Sequence, residues 1–250
     1  MLAVAGNLSI DRVEGSAPRI GGGSFHAARA LAALGAQATI VTRCAGEDRD
    51  FLQPQLEALG LPVRWLDGDR TPRFSFSYDG DVRAMNVDAI GETWTLRDAQ
   101  AIDADVRWLH VAPLLRSDFP VETIAELTRG RRLLLDGQGL VRRPQVGPLE
   151  LDADFDRDVL RHVTVLKLAV EEADVVGDVD VPELVVTFGS GGSLVRADGR
   201  ETHVPAQPLP RDPTGAGDAF AAAYVASRAA GEPPVAAARR ATDVVTTLLR

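Results

Sequence analysis

Short apolar runs alternate with helical patterns along most of this chain, and this alternation restricts the fold more than any other feature. Strands are predicted at 2–6, 38–43, 106–114, 131–136, 162–168 and 183–189, and helices at 24–35 and 50–60. Strands separated by helices need crossover connections, which make neighbouring strands parallel and place helices on both faces of the sheet. The sequence therefore predicts an α/β fold built on a mostly parallel central sheet.

One segment departs from this alternation. Residues 73–87 alternate along the chain around Asp79-Gly80, a dipeptide typical of tight hairpin turns. Folding at that turn places on one face the side chains of Phe74, Phe76, Tyr78, Asp81, Arg83 and Met85. The segment predicts a small antiparallel flap beside the main sheet. The pattern is consistent both with a flap that covers a site and with an edge hairpin that packs its aromatic residues on the core.

Composition excludes several classes of protein. A formal net charge of −9 disfavours nucleic-acid binding, which requires a basic surface. Cys44 is the single cysteine, so an internal disulfide and a cysteine-based zinc site are ruled out. No apolar stretch reaches the roughly 18 residues of a membrane span, and the first residues lack the pattern of a signal peptide. We expect a soluble, cytoplasmic protein with no membrane or nucleic-acid partner.

The stretch DPTGAGDAF at 212–220 has the properties of a phosphate-binding turn. Gly215 and Gly217 allow a tight turn, and the helix predicted from about Ala216 directs free N–H groups towards it. Asp218, in the first turn, is a poor anion ligand but a suitable base for a hydroxyl that attacks a phosphoryl group. Taken alone, the stretch is better explained by Thr214 or Asp218 capping the helix, which such residues commonly do.

Three motifs together resemble the ribokinase, or PfkB, family of sugar kinases. They are GNLSID at 6–11, GGGSFHAARALAALG at 21–35 and DPTGAGDAF at 212–220, and the resemblance covers essentially the whole chain. It implies a ribokinase-like three-layer sandwich in a single kinase domain, residues 1–250, with a small antiparallel β lid. The lid elements are expected around 9–20 and 62–92. The implied cofactors are ATP and Mg²⁺.

The resemblance also implies roles for individual residues. Asp218 corresponds to the catalytic base, and the backbone of Gly215, Ala216 and Gly217 corresponds to the anion hole. Asp11, Gly22 and Gly23 fall in the sugar-binding region, with His26 where the family usually has asparagine. His26 is expected either to contact a substrate hydroxyl or to pack against the flap as a helix N-terminal residue.

Two further stretches match the family's donor-binding side. LKLAVEEA at 166–173 matches the segment that carries the family's N-x-x-E, with Glu172 at the metal-organising glutamate and Ala169 in place of asparagine. VVTFGSGG at 185–192 matches the strand end that borders the nucleotide. The residues assigned to the phosphoryl donor are Lys167, Thr187, Gly189, Gly192 and Thr214.

The stretch LLLDGQGLVRR at 133–143, with 71–83, resembles the myo-inositol kinase-like members of the family. Arg83 and Arg142 are candidate contacts to substrate or phosphate, although surface ion pairs are the commoner fate of such arginines. We expect an ATP-dependent kinase that phosphorylates a hydroxyl of a small sugar or cyclic polyol. One alternative is a nucleoside kinase. The other is a non-catalytic sensor, which is favoured slightly by Ala169 in place of the family's asparagine. A homodimer through the exposed edge or face of the lid is a further expectation.

Overall fold

The computed structural model describes residues 1–79, 82–207 and 214–248, with only the backbone at 78, 79, 82 and 83. Among these residues, no helix is long and apolar enough to cross a membrane. The strands are β1 Leu2–Asn7, β2 Ser9–Val13, β3 Arg19–Gly21, β4 Ala38–Arg43, β5 Val63–Trp65, β6 Arg73–Asp79, β7 Val82–Ala89, β8 Trp108–Val111, β9 Arg132–Asp136, β10 Gly147–Pro148, β11 Val165–Ala169, β12 Glu183–Thr187, β13 Ser193–Ala197 and β14 Arg200–Val204. The α-helices are α1 Gly23–Ala33, α2 Arg49–Glu57, α3 Leu96–Gln100, α4 Val121–Leu127, α5 Gln138–Val141, α6 Val170–Val176, α7 Ala216–Ala229 and α8 Pro234–Leu248.

The larger of two sheets has nine strands in the order β14-β13-β12-β11-β9-β8-β1-β4-β5. Every neighbouring pair from β12 to β5 is parallel, whereas β13 and β14 join the β12 edge as antiparallel strands. The predicted α/β fold with a mostly parallel central sheet is confirmed.

Helices cover both faces of this sheet. Along β1, Leu2 and Val4 pack with α1, α2, α7 and α8, whereas Ala3 and Ala5 point to the other face, which α3 to α6 cover. A strand that is buried on both faces needs apolar residues at consecutive positions, which explains why the sequence shows continuous apolar runs there. The result is three layers, helix on sheet on helix.

The smaller sheet has five strands in the order β10-β7-β6-β2-β3. It contains the predicted hairpin as β6 and β7, although Gly80 and Asp81 at the predicted turn lie outside the described residues. Within the predicted lid range 62–92, β5 pairs with β4 in the large sheet. The short strand β10 was not predicted, since nothing local in two residues distinguishes a strand from a turn.

Candidate active site

A cleft of about 480 Å³ lies between the carboxyl ends of the parallel strands and the small sheet. Ligands of open α/β sheets commonly bind at this end of the strands. Of the predicted site residues that the structure describes in full, all except Gly192 lie at the cleft. Those in the lining are Asp11, Gly22, Gly23, His26, Arg142, Lys167, Glu172, Thr187, Gly189, Thr214, Gly215, Ala216, Gly217 and Asp218.

Two predicted residues, Arg83 and Gly192, are not among these. The side chain of Arg83 lies outside the described part of the chain. Gly192 has a φ of +93°, and a Cβ there would lie 2.1 Å from the carbonyl oxygen of Val204. Gly192 therefore allows the turn before β13 to pack closely against the end of β14, and it does not line the cleft.

Helix α7 begins at the cleft with a turn that only glycine adopts without strain. Gly215 precedes the helix with a φ of +79°, and a Cβ there would lie 2.2 Å from Nδ1 of His26. The ring of His26 therefore lies against the start of α7. The N–H groups of the first turn of a helix have no partner within the helix. In α7 this turn, with Ala216 and Gly217, forms part of the cleft wall.

Asp218 lies in this first turn, and its carboxylate is directed into the site. Its Oδ1 lies 3.3 Å from Nε2 of Gln138, a residue to which the sequence analysis assigned no role. Gly23, from the start of α1, leaves room for the carboxylate, since a Cβ there would lie 2.9 Å from Oδ1. Among the described residues, the hydrogen bond found for this carboxylate is thus to a side chain of the cleft, not to a helix N–H.

The surroundings of Asp218 raise its pKa above the usual range. Burial is the largest cause, and it is opposed by the positive charges of Lys167 and Arg142. The carboxylates of Glu172 and Asp11 raise the pKa further. A carboxylate with a raised pKa is a stronger base than an exposed one, which suits proton abstraction.

Lys167 places a buried positive charge behind the turn. Its Nζ lies 3.2 Å from Oδ1 of Asp136, at the end of the neighbouring strand β9, and a Cβ on Gly217 would lie 2.8 Å from the same nitrogen. Burial opposes the charged form, but the carboxylates of Asp136, Glu172 and Asp218 outweigh it and raise the pKa of Lys167. The site therefore carries a permanent positive charge beside the α7 N–H groups.

The small sheet forms the other side of the cleft. Ser9 donates a hydrogen bond of 2.7 Å to Oδ1 of Asp11, and both side chains are buried. Beside them lies an apolar wall of Phe74, Phe76, Met85 and Leu114. The two phenylalanines also belong to a core cluster, so the flap packs on the core and lines the cleft at the same time. A polar group facing an apolar wall suits a ring that has hydroxyls at its edge and C–H groups on its face.

Comparison with known protein families identifies the family to which this chain belongs. Residues 10–246 match the model described as pfkB family carbohydrate kinase. The chain belongs to this family. Inositol 3-kinase from Zea mays is 36% identical over 115 residues, which cover 42% of this chain and 30% of the maize protein. The chain therefore matches only about a third of that relative's length.

Solved structures show the same fold. A pyrophosphate-dependent kinase of the ribokinase family, complexed with a pyrophosphate analogue and myo-inositol, is similar with a TM-score of 0.87 and 22% identity, over 100% of this chain and 95% of that one. A nucleoside kinase from Burkholderia thailandensis in complex with inosine has a TM-score of 0.77 and 20% identity, and the similarity covers 100% of this chain and 90% of that one. Ribokinase from Thermotoga maritima has a TM-score of 0.75 and 19% identity, and the similarity covers 100% of this chain and 93% of that one. These similarities confirm the ribokinase-like fold.

The family's magnesium raises the question of which side chains here would hold a cation. One carboxylate oxygen of Glu172 accepts the backbone N–H of Ala169 at 2.8 Å, and this buried residue lines the cleft. No cluster of three or more acidic, histidine or cysteine side chains suited to a metal occurs within the described ranges. Mg²⁺ commonly takes one or two carboxylates and completes its shell with phosphate oxygens and water. The second oxygen of Glu172 fits that mode.

Proposed function

We propose that this protein transfers a phosphoryl group from a phosphate donor to a hydroxyl of a small cyclic polyol, with myo-inositol as the first candidate. The observation that carries the proposal is the placing of Asp218 in the first turn of α7, inside the cleft and beside Lys167. A base, unpaired helix N–H groups and a fixed cation at one point match the needs of phosphoryl transfer.

In the proposed reaction, Asp218 accepts the proton of the polyol hydroxyl as the hydroxyl oxygen forms a bond to the terminal phosphorus of the donor. The bond from that phosphorus to the bridging oxygen breaks, and the leaving phosphate or nucleotide takes the bonding electrons. The N–H groups of the Gly215–Gly217 turn and the ammonium of Lys167 stabilise the negative charge that develops on the transferred group. Mg²⁺, held through Glu172 and the donor phosphates, would neutralise further charge.

The acceptor is proposed to lie between Asp11 and the apolar wall. Asp11 accepts hydrogen bonds from ring hydroxyls, Arg142 lies at the same cleft, and Phe74 and Phe76 contact the C–H face of the ring. Support for a cyclic polyol comes from the maize inositol 3-kinase and from the myo-inositol complex of similar fold. A nucleoside is the second candidate, because the same aromatic wall suits a base and a structure of similar fold binds inosine.

The donor is proposed to be either ATP or pyrophosphate, which share the terminal phosphate that the α7 turn and Lys167 contact. ATP follows from the family resemblance of the sequence. Pyrophosphate gains support from the pyrophosphate-dependent kinase of the same fold. Thr187, Gly189 and Thr214 border the cleft where the remainder of either donor would lie.

The test combines donors and acceptors with a matched pair of variants. The protein is incubated with Mg²⁺, with ATP or pyrophosphate, and with myo-inositol, ribose or adenosine, and phosphorylated products are identified by ³¹P NMR and mass spectrometry. Asp218→Asn is expected to lower turnover by roughly 10²- to 10⁴-fold. Asp50→Asn, which changes an exposed aspartate in the first turn of α2, is expected to retain full turnover.

Each remaining outcome has a definite meaning. Normal turnover by a folded Asp218→Asn protein would remove the assigned base. Binding of a donor and an acceptor with no product in any combination would favour a sensor over a kinase. If adenosine is phosphorylated in preference to myo-inositol, the acceptor substrate is a nucleoside and not a polyol.

A further inference from the structure

Gln138 is a buried residue whose side chain contacts the carboxylate of the proposed base, Asp218. It begins α5, two residues after β9 ends at Asp136, and it is 7% exposed. Its Nε2 lies 2.6 Å from the carbonyl oxygen of Pro113 and 3.3 Å from Oδ1 of Asp218. The carbonyl can only accept, so the contact with Pro113 identifies the nitrogen side of the amide. The same NH₂ group therefore has its second hydrogen for Asp218.

Backbone contacts hold this amide in place. The N–H of Gly137 donates to the carbonyl of Lys167 at 2.7 Å, which ties the start of α5 to β11. A Cβ on Gly139 would lie 2.1 Å from the ring of Pro113, so α5 packs on that loop as closely as glycine allows. Gln138 is therefore anchored from both sides before any ligand binds.

We propose that Gln138 is a positioning residue that fixes the rotamer of the Asp218 carboxylate and favours its ionised form. The inference rests on the proposed function, in which Asp218 is the base. With Oδ1 held by the amide, Oδ2 is left to receive the proton of the acceptor hydroxyl. A hydrogen bond to an ionised carboxylate favours the charged form, and Gln138 thereby offsets part of the effect of burial.

The requirement for such a donor follows from the surroundings of Asp218. Burial and two nearby carboxylates favour the neutral form, and the neutral form accepts no proton from a substrate. Lys167 supplies an opposite charge, but its ammonium is engaged with Asp136 at 3.2 Å. The Gln138 amide is neutral, so it orients the carboxylate without drawing the donor phosphate away from the α7 turn.

The test uses near-isosteric variants and two measurements. Gln138→Leu removes the donor, Gln138→Glu replaces it with an acceptor, and Gln145→Leu changes an exposed glutamine in the following loop as the control. The first measurement is the pH dependence of kcat and KM in the assay of the proposed function. The second is the titration of the Asp218 carboxyl carbon by ¹³C NMR, assigned by its absence in Asp218→Asn, which requires no turnover.

Gln138→Leu is expected to lower kcat by roughly 10- to 100-fold, with little change in the KM for the phosphate donor. The acidic limb of the kcat profile and the Asp218 titration are both expected to move up by about one pH unit. Gln138→Glu is expected to move them further, and Gln145→Leu not at all. A structural role alone would lower stability without moving either titration.

The two proposals fail separately. If Asp218 titrates at the same pH in Gln138→Leu as in the unchanged protein, the positioning role is wrong, whatever the activity. If no donor and acceptor give product but the titration moves as expected, the hydrogen bond is supported and the kinase assignment fails. Gln138→Leu with unchanged kcat overturns the positioning role while leaving the proposed function intact.

Discussion

Charged side chains cluster at both ends of helix α7, but the two clusters differ in how many of their polar atoms have partners. In the last turn, Arg228 forms an ion pair with Glu183 of β12, and Tyr224 donates a hydrogen bond of 2.9 Å to the same carboxylate. Arg228 contacts both oxygens of Glu183, through Nε at 3.0 Å and through a second guanidinium nitrogen. This cluster is closed, because each oxygen of the carboxylate already has a partner.

The cluster at the first turn of α7, formed by Lys167, Asp136 and Asp218, is open, because its carboxylate oxygens have fewer partners. Among the described residues, Oδ2 of Asp136 is buried with no partner, and the one hydrogen bond found for the Asp218 carboxylate is 3.3 Å long. Leaving buried polar groups unsatisfied costs free energy, and such groups concentrate at functional sites. The comparison shows that one helix is attached to the sheet at its carboxyl end, while its amino end keeps charges available for a ligand. Changes at the two ends should therefore separate stability from activity.

After the loss of the proposed base itself in Asp218→Asn, the largest effect is expected from Lys167→Met, which removes the cation from the open cluster of Lys167, Asp136 and Asp218. Loss of one such group typically costs roughly 10²- to 10³-fold in kcat. Because Lys167 lowers the pKa of Asp218, its removal should also move the acidic limb of the pH–rate profile to higher pH. Steady-state kinetics across pH measure both effects.

The control for Lys167→Met addresses folding. The single change leaves Asp136 buried without its ion-pair partner, which destabilises the fold. The double variant Lys167→Met with Asp136→Leu removes both charges and is expected to recover stability in urea while remaining inactive. Recovery of activity in the double variant would contradict the role of Lys167.

The next largest effect is expected from Arg228→Met at the closed end. Glu183 would remain buried without its cation, and we expect a loss of about 3 to 4 kcal/mol in the free energy of unfolding. Urea unfolding measures the loss, and kcat at a temperature where the variant is folded should be unchanged. A large fall in kcat of the folded variant would show that the two ends are coupled through α7.

Asp118 is a buried carboxylate that belongs to neither of these two clusters. Its Oδ2 accepts the backbone N–H of Leu114 at 2.7 Å, and burial raises its pKa to about 6. A pKa raised by folding favours the native state at low pH, and this contribution is lost as the pH rises from about 4 through about 6. We expect Asp118→Asn to gain about 2 to 3 kcal/mol over the unchanged protein between pH 4 and pH 7. A pH-independent difference in unfolding free energy would show that this carboxylate titrates normally.

The smallest effect is expected from Tyr224→Phe, which removes one hydrogen bond from the closed cluster. Glu183 keeps both contacts to Arg228, so the loss in unfolding free energy should be only about 1 kcal/mol. Thermal unfolding at pH 7 measures it. A loss as large as that of Arg228→Met would show that the hydroxyl, not the guanidinium, is the main partner of the carboxylate.

Local patterns in the sequence were sufficient for much of the fold. The strand predicted at 38–43 coincides with β4, and the helix predicted from about Ala216 begins at that residue. Both depend on short-range physics: apolar runs that are buried on two faces, and a glycine that turns the chain before a helix. The GAGD motif, together with the family resemblance, indicated the proposed base and the proposed anion-binding turn, because it places them within four consecutive residues.

What the sequence by itself determined was therefore the succession of strands and helices and the motif residues of the cleft. Only the tertiary structure decided which strands became neighbours, placing β5 in the large sheet and Asp136 beside Lys167. It also decided that Gln138 meets Asp218 across 80 positions of the chain. Such contacts depend on how crossover connections order the strands and pack helices over them, and no pattern within a short window of sequence contains that information.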